Sequence, residues 1–98
     1  MPKGYLFGEI EITDAAGYDE YRKRVPDVIA AYGGRYLVRG GDARPLDGDM
    51  PQRRFVILEF DSPERASEFY HSAAYQAILP LRLGASRGFL CCLTGVPS

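Results

Sequence analysis

Apolar and polar residues alternate with a period of two along the first segment of the chain. In residues 5–13, one set of alternate positions is apolar throughout and the other set mixes aromatic and acidic residues. The apolar set is Leu6, Gly8, Ile10 and Ile12, and the acidic positions of the other set are Glu9 and Glu11. This alternation predicts a β-strand with one buried face.

After Asp14 the spacing of apolar residues changes to three and four. The positions are Tyr18, Tyr21, Val25, Val28, Ile29 and Tyr32. Asp14 offers a side-chain acceptor to the first free amides, so we predict a helix of about 17 residues that begins there. Pro26 is expected to kink or restart this helix, and Gly33–Gly34 to end it.

The middle of the chain has the features of an antiparallel hairpin. Residues 35–39 predict a second strand, which is expected to resume at residues 43–46. Asp47-Gly48-Asp49 is a turn signal, and residues 53–61 predict a third strand.

The last third predicts a second helix and a fourth strand. Ser62-Pro63-Glu64 is a strong helix start, and we expect the helix to break at His71-Ser72 and restart as a short helix. Residues 88–96 predict the final strand. The order is strand, helix, strand, strand, helix, strand, which predicts one α+β domain over residues 1–98 with a ferredoxin-like fold: a four-stranded antiparallel sheet with its helices on one side.

Composition narrows the classes of partner. The 98 residues carry 12 basic and 13 acidic side chains, a net charge of −1, so no general basic field is present for nucleic acid or an anionic membrane. No apolar run is long enough to span a bilayer and no signal segment is evident, so we expect a cytoplasmic protein. The two adjacent cysteines, Cys91 and Cys92, are expected to stay reduced.

Four stretches resemble a known family. They read KGY at 3–5, YGGRYLVRGG at 32–41, ILEF at 57–60 and YHSAAYQ at 70–76. The chain resembles, over nearly its whole length, a small bacterial family of unknown function, number thirteen-thirty, within the dimeric α/β-barrel superfamily. The resemblance implies a ferredoxin-like protomer whose sheet packs on a partner's sheet. Relatives in that superfamily include cofactor-independent monooxygenases, muconolactone-isomerase-like enzymes and haem-degrading proteins, but the family itself brings no reaction to this chain.

The face of the sheet away from the helices needs a cover. Tyr5, Phe7, Phe55 and Ile57 alternate with the buried positions of their strands, and they stay in water unless something packs on them. We expect a second copy of the chain to provide this cover, which gives a homodimer through the sheet face.

Acidic residues on the same face give the sharpest candidate site. Glu9, Glu11 and Glu59 are predicted to point away from the helices, and Arg39 is expected to join them from the second strand. One interpretation is a pocket in which Arg39 anchors an anionic or carbonyl-bearing ligand while Glu59 or Glu9 moves a proton. The other interpretation is a purely structural pair of Arg39 and Glu59.

His71 is the single histidine and the natural general acid or base near neutral pH. Its alternative role is that of a residue at a helix end, where its charge is favourable. No spaced ligand set accompanies it, so we expect no metal. The haem-degrading relatives are expected to carry their histidine later on this helix, so haem is disfavoured and no cofactor is predicted.

The chain has seven tyrosines, which is consistent with a pocket lined by aromatic rings. Tyr36 and Tyr70, together with Tyr5 and Tyr75, are candidates for orienting a ligand through their hydroxyl groups. Packing in the core or in a dimer interface explains the same residues without a ligand.

Two functions follow from these candidates. The first is a cofactor-independent enzyme that acts on a small carbonyl-bearing or anionic metabolite by proton transfer, with Glu59, His71 and Glu9 as catalytic candidates. Arg39, Tyr36 and Tyr70 are its substrate-binding candidates. The second is a non-catalytic small-molecule-binding or dimer-assembly module, in which the charges are structural.

Overall fold

The computed structural model describes residues 2–97, so the first and last residues of the predicted domain lie outside the described residues. The chain forms four strands and three helices. They are β1 (Gly4–Ile12), α1 (Ala15–Ala31), β2 (Arg35–Arg39), β3 (Arg54–Phe60), α2 (Pro63–His71), α3 (Ala73–Ala85) and β4 (Ser86–Thr94).

The strands form one antiparallel sheet in the order β2, β3, β1, β4. The two strands at the centre, β1 and β3, are thus those with the clearest alternation in the sequence. This topology confirms the predicted α+β, ferredoxin-like fold, with the second predicted helix divided into α2 and α3.

Side-chain caps explain where the helices begin. Gly17 N donates to Asp14 Oδ1 at 3.2 Å, and Arg65 N donates to Ser62 Oγ at 3.0 Å. Ser72 ends α2 and begins α3, because its hydroxyl accepts from Tyr75 N at 3.1 Å. The predicted helix starts and the predicted break after His71 are therefore confirmed.

Two local predictions are wrong, and a third is wrong in one of its alternatives. α1 continues through Pro26 as one helix of 17 residues, so the helix does not restart there. Residues 43–46 form no strand. The helix after the break is not short, since α3 runs for 13 residues and contains Pro80.

One face of the sheet packs against the helices and forms the core. Leu6, Ile10, Leu58 and Phe60 of the central strands are each 5% exposed or less. The opposite face, which we call the open face, carries the other alternate residues of β1 and β3 and has no covering element among residues 2–97. The predicted division of β1 and β3 into two faces is confirmed.

Candidate functional site

A cleft lies between α1, α3 and the helix-facing side of the sheet. We call it the helix-side cleft. Its cavity is about 40 Å³, which widens to about 500 Å³ of empty space when the open mouth is included, and most of its wall is apolar. Its polar lining consists of tyrosine and arginine side chains, with no Asp, Glu or His among the described residues that line it.

Two arginines from neighbouring strands line this cleft. Arg39 of β2 donates to the carbonyl oxygen of Arg22 at 3.0 Å, and its guanidinium lies 4.5 Å from the Tyr36 ring centroid. Arg54 of β3 approaches the backbone at Gly40, where φ is +66° and where a Cβ atom would collide with the guanidinium. Gly40 thus permits both the left-handed turn after β2 and the position of Arg54.

The electrostatic balance of this pair is incomplete. Arg54 Nε is buried and has no hydrogen-bond partner among residues 2–97. Within the same described range, no carboxylate lies within 4.0 Å of the guanidinium of Arg39 or Arg54. Arg39 is exposed and Arg54 is half-buried, so Arg54 is the cation whose missing counterion favours an anion from outside the chain.

A third arginine lies deeper, on α3. Arg82 is only 7% exposed, and its Nε donates to Tyr75 Oη at 3.3 Å. Tyr75 is fully buried, and its hydroxyl lies 2.9 Å from that of Tyr21. All three side chains line the helix-side cleft.

The tyrosine hydroxyls of the cleft are donors rather than bases. Burial, reinforced by the neighbouring Tyr75 hydroxyl, raises the pKa of Tyr21 far above its usual range. Burial also raises the pKa of Tyr36, although the adjacent Arg39 opposes the effect. Both phenols therefore stay protonated at neutral pH.

The predicted placement of Arg39 beside Glu59 is wrong. Tyr36 pairs with Leu58 and Val38 pairs with Ile57, so Leu37 is an extra residue in β2, a β-bulge. The bulge reverses the side-chain alternation, and Arg39 lies opposite Val56 on the helix side of the sheet. Arg39 and Tyr36, both predicted to bind a ligand, are thereby brought together in one cleft.

Glu59 has a different arginine partner, on the open face. Arg35 Nε donates to Glu59 Oε1 at 2.8 Å, and Tyr5 Oη donates to Glu59 Oε2 at 3.0 Å. The hydrogen bond from Arg35 lowers the pKa of Glu59, although partial burial opposes it, and the bond from Tyr5 adds to the lowering. Glu59 is therefore a carboxylate at neutral pH, held in a structural cluster.

Glu9 also lies on the open face. Its Oε1 is 3.2 Å from Arg53 Nη1, and its side chain is 19% exposed. Neither Glu9 nor Glu59 lines the helix-side cleft, so the structure does not bring these predicted proton-transfer groups to Arg39.

His71 and Tyr70 line a second cleft, which we call the His71 cleft. His71 is the exposed last residue of α2, and its ring lies 5.1 Å from that of Tyr70. The thiol of Cys92 is nearby, but burial, with Cys91 and Glu64 as smaller causes, raises its pKa. A protonated thiol is a poor nucleophile, so this cleft offers weaker chemistry.

Sequence reasoning missed Arg54 and Arg82 as candidates. Arg54 continues the alternate positions of Val56 and Leu58 on the buried face of β3, and it is the one charged residue in that set. Arg82 follows Ile78 by four positions within an otherwise apolar stretch of α3. In both cases the available signal was a cation at a position whose periodicity predicts burial.

The described residues contain neither a membrane-spanning helix nor a cluster of metal ligands. No helix within residues 2–97 is long and apolar enough to cross a membrane. Over the same residues, no three His, Cys, Asp or Glu side chains cluster so as to hold a metal ion.

Comparison with known proteins points to one family. A family model described as "Domain of unknown function (DUF1330)" matches residues 3–96. No curated protein is significantly similar to the chain in sequence.

Solved structures share the fold at low sequence identity. A protein of unknown function from Rhodopseudomonas palustris, RPA0582, superposes with a TM-score of 0.78 at 17% identity, covering 99% of this chain and 85% of that one. SnoaB, a cofactor-independent oxygenase from Streptomyces nogalater, superposes with a TM-score of 0.62 at 10% identity, covering 100% of this chain and 97% of that one. A putative antibiotic biosynthesis monooxygenase from Nitrosomonas europaea superposes with a TM-score of 0.56 at 9% identity, covering 98% of this chain and 92% of that one.

Proposed function

The chain belongs to the DUF1330 family, a family of unknown function, and on that premise we propose that it is a cofactor-independent enzyme. Its substrate is a small carbonyl-bearing or anionic metabolite, which binds in the helix-side cleft. The observation that carries this proposal is the cleft lining, in which Arg39, Arg54 and Arg82 have no carboxylate partner among residues 2–97.

The charge and the apolar lining of the cleft together favour an organic anion as the ligand. Arg39 and Arg54 present guanidinium groups, whose forked donors match a carboxylate. Aromatic rings and aliphatic side chains form the rest of the wall, and such a lining excludes water and accommodates an apolar body. A ligand with an acidic group at one end and an apolar or aromatic body matches both the guanidinium groups and the apolar wall of the cleft.

The chemistry available in the cleft is stabilisation of negative charge. Protonated tyrosines and arginines lower the energy of an enolate or phenolate oxygen, but they do not remove a proton at neutral pH. The substrate therefore has to be acidic enough to lose its proton to water once its oxyanion is stabilised. The catalytic roles suggested for Glu59, Glu9 and His71 stay predictions, and this proposal does not require them.

The shared fold supports the absence of a cofactor only as an analogy. SnoaB is a cofactor-independent oxygenase with the same architecture, and oxygenation of an enolate or phenolate starts from the kind of anion that this cleft would stabilise. At 10% identity the comparison supplies a fold, and the reaction class is our proposal.

A thermal-melt screen tests the proposal. Small carboxylates such as benzoate and 2-oxo acids are compared with their neutral amides, each over a range of concentrations. A carboxylate ligand present at about ten times its dissociation constant should raise the melting temperature by ~5 to 10 °C, and its amide should not. Substitution Arg54→Gln should abolish the rise.

The matched control is Arg44→Gln. Arg44 is exposed and pairs with Asp42 in the loop after β2, outside the cleft, so this variant loses the same charge without touching the site. A screen in which no carboxylate stabilises the protein, or in which both variants lose stabilisation equally, would contradict the proposed function.

We also propose that the open face is covered by a second copy of the chain. Phe7 lies 6.1 Å from Phe55 and 5.9 Å from Phe89, measured between ring centroids, and forms an aromatic strip across three strands. Phe89 is 47% exposed and Leu93 is 50% exposed, so the strip ends in apolar surface. Burial of such a strip is the expected driving force for a dimer, with an interface above ~1,000 Å² in total.

Sedimentation velocity tests this dimer. The parent should sediment as a dimer at micromolar concentration, and Phe89→Glu should shift it to monomer. Leu46→Glu, at a loop residue that is 98% exposed, serves as the control and should leave the dimer intact. A parent that stays monomeric at tens of micromolar would rule out a stable dimer.

A further inference from the structure

A chain of hydrogen bonds connects a buried cation to the helix-side cleft. Arg82 lies in the last turn of α3, and its Nε donates to Tyr75 Oη, which in turn lies 2.9 Å from Tyr21 Oη. No carboxylate lies within 4.0 Å of the Arg82 guanidinium among residues 2–97. The cation is buried with phenol oxygen as its only hydrogen-bonded side-chain partner over that range.

One of the two hydroxyl protons of Tyr21 and Tyr75 has no acceptor among residues 2–97. The two phenols have two O–H protons, and their mutual hydrogen bond consumes one of them, whichever ring donates. The Tyr75 oxygen accepts from Arg82, and its hydroxyl can either donate to Tyr21 or accept from it, so the unused O–H belongs to one of these two phenols. Since no other acceptor is within hydrogen-bond distance of either hydroxyl in the described part of the chain, the second O–H proton is free for a ligand.

The position of the cation strengthens this free donor. A hydrogen bond from a guanidinium polarises the phenol that accepts it, and polarisation passes along a chain of hydroxyls. Burial holds Tyr21 in its protonated form, so it can donate but does not carry negative charge itself. Such a preorganised donor is suited to an oxygen that gains negative charge.

We propose that Arg82, Tyr75 and Tyr21 form an oxyanion site for an enolate or phenolate oxygen of the substrate. Arg82 acts through Tyr75 and is therefore a positioning residue. This inference rests on the proposed function and narrows its substrate class. The substrate is an enolisable ketone or a phenol whose acidic group contacts Arg39 and Arg54 while its second oxygen meets the tyrosine pair.

A chromogenic probe separates binding from ionisation. The probe is 4-hydroxy-3-nitrobenzoate, which carries a carboxylate for the arginines and a nitrophenol whose visible absorbance reports its own ionisation. Binding is measured by equilibrium dialysis, and the absorbance of the bound probe is titrated with pH. In the parent we expect the phenol pKa to fall on binding by at least about one unit, a ~10-fold change in its ionisation constant.

Two variants interrupt the series of hydrogen bonds from Arg82 to Tyr21 at different points. Arg82→Met removes the cation, and Tyr75→Phe removes the hydroxyl that transmits its effect. Each should still bind the probe through its carboxylate, but with the bound phenol pKa about one unit higher than in the parent. Tyr32→Phe removes a hydroxyl outside the cleft and should leave the bound pKa unchanged.

The outcomes distinguish the two proposals. If the parent binds the probe but Arg82→Met leaves its bound pKa unchanged, the oxyanion site is refuted while the anion cleft stands. If the parent does not bind the probe at all, both are refuted. Should one variant fail to fold, the other gives the same readout, because each substitution alone interrupts the hydrogen bonds between Arg82 and Tyr21.

Discussion

On the open face of the sheet, Glu59 and Glu9 each lie within salt-bridge distance of an arginine. On the helix side, Arg39, Arg54 and Arg82 line a cleft without any carboxylate from residues 2–97. The two faces present alternate residues of the same strands, and the helices, among them α3 with Arg82, cover only one of them. These two carboxylates of the open face are paired within the chain, and these three arginines of the cleft have no carboxylate partner among residues 2–97.

This difference supports our proposal that the charges of the open face are structural and that those of the cleft bind a ligand. Paired carboxylates on a sheet stabilise the fold and have little free capacity to transfer a proton. Arg54 is half-buried and Arg82 is buried, and cations without counterions in such positions reduce stability, a cost that is typical of binding and catalytic sites. The comparison therefore supports our proposals of assembly through the open face and of ligand binding in the cleft.

The largest expected effect concerns the apolar residues of the two faces. Phe60 is 1% exposed on the helix side, so Phe60→Ala should lower the free energy of unfolding by ~3 to 5 kcal/mol. Phe7 is half-buried on the open face, and Phe7→Ala in a dilute sample should cost about 1 kcal/mol. Urea unfolding measures both, and equal losses would remove the distinction between a packed and an unpacked face.

Protein concentration sharpens that measurement. If a second copy covers the open face, the loss from Phe7→Ala should grow as the sample is concentrated, while the loss from Phe60→Ala should not. A loss from Phe7→Ala that is independent of concentration would speak against cover by a second copy.

The sequence was sufficient to predict the two faces of the central strands, because alternation in β1 and β3 is uninterrupted. It failed for Arg39, because one extra residue, Leu37, reverses the alternation in β2. No residue type in that strand marks the bulge, so strict alternation paired Glu59 with the wrong arginine. Arg35, the actual partner, is four positions earlier and was on the correct face all along.

The cleft itself was beyond prediction for a different reason. Its lining combines residues of both long helices and the sheet, and only the packing of α1 against α3 places Tyr21 beside Tyr75. The helix and strand periods predict which residues are buried, but they do not predict which buried residues meet. Arg82 could have been noticed as a cation on an apolar helix face, but its tyrosine partner could not.

A second prediction concerns the sign of a stability change. Arg82→Met replaces a buried cation with an apolar side chain of similar length, so the ligand-free protein should gain about 1 kcal/mol of unfolding free energy. Arg35→Met on the open face should instead destabilise the protein, because Glu59 loses its main hydrogen-bond donor. Denaturant titration of both variants checks the signs.

Opposite signs for the two arginine variants would support the contrast between the faces. If Arg82→Met is as destabilising as Arg35→Met, the tyrosine pair is a sufficient partner for the buried cation. In that case Arg82 is a structural residue, and the argument for an unsatisfied cleft weakens.

The smallest expected effect is the pH dependence of the open-face cluster. Arg35 lowers the pKa of Glu59, so this carboxyl stabilises the fold above its unfolded pKa of ~4.3 and the contribution disappears as pH falls through the lower folded pKa. Glu59→Gln should therefore be less stable than the parent at neutral pH, with a difference that shrinks below about pH 4. Glu11→Gln, at an exposed position of β1 with no arginine within 4.0 Å among residues 2–97, controls for the loss of one negative charge. A Glu59→Gln difference that stays constant from neutral to acidic pH would mean that the carboxylate is not held by Arg35, and the open face would then have no paired charge at its centre.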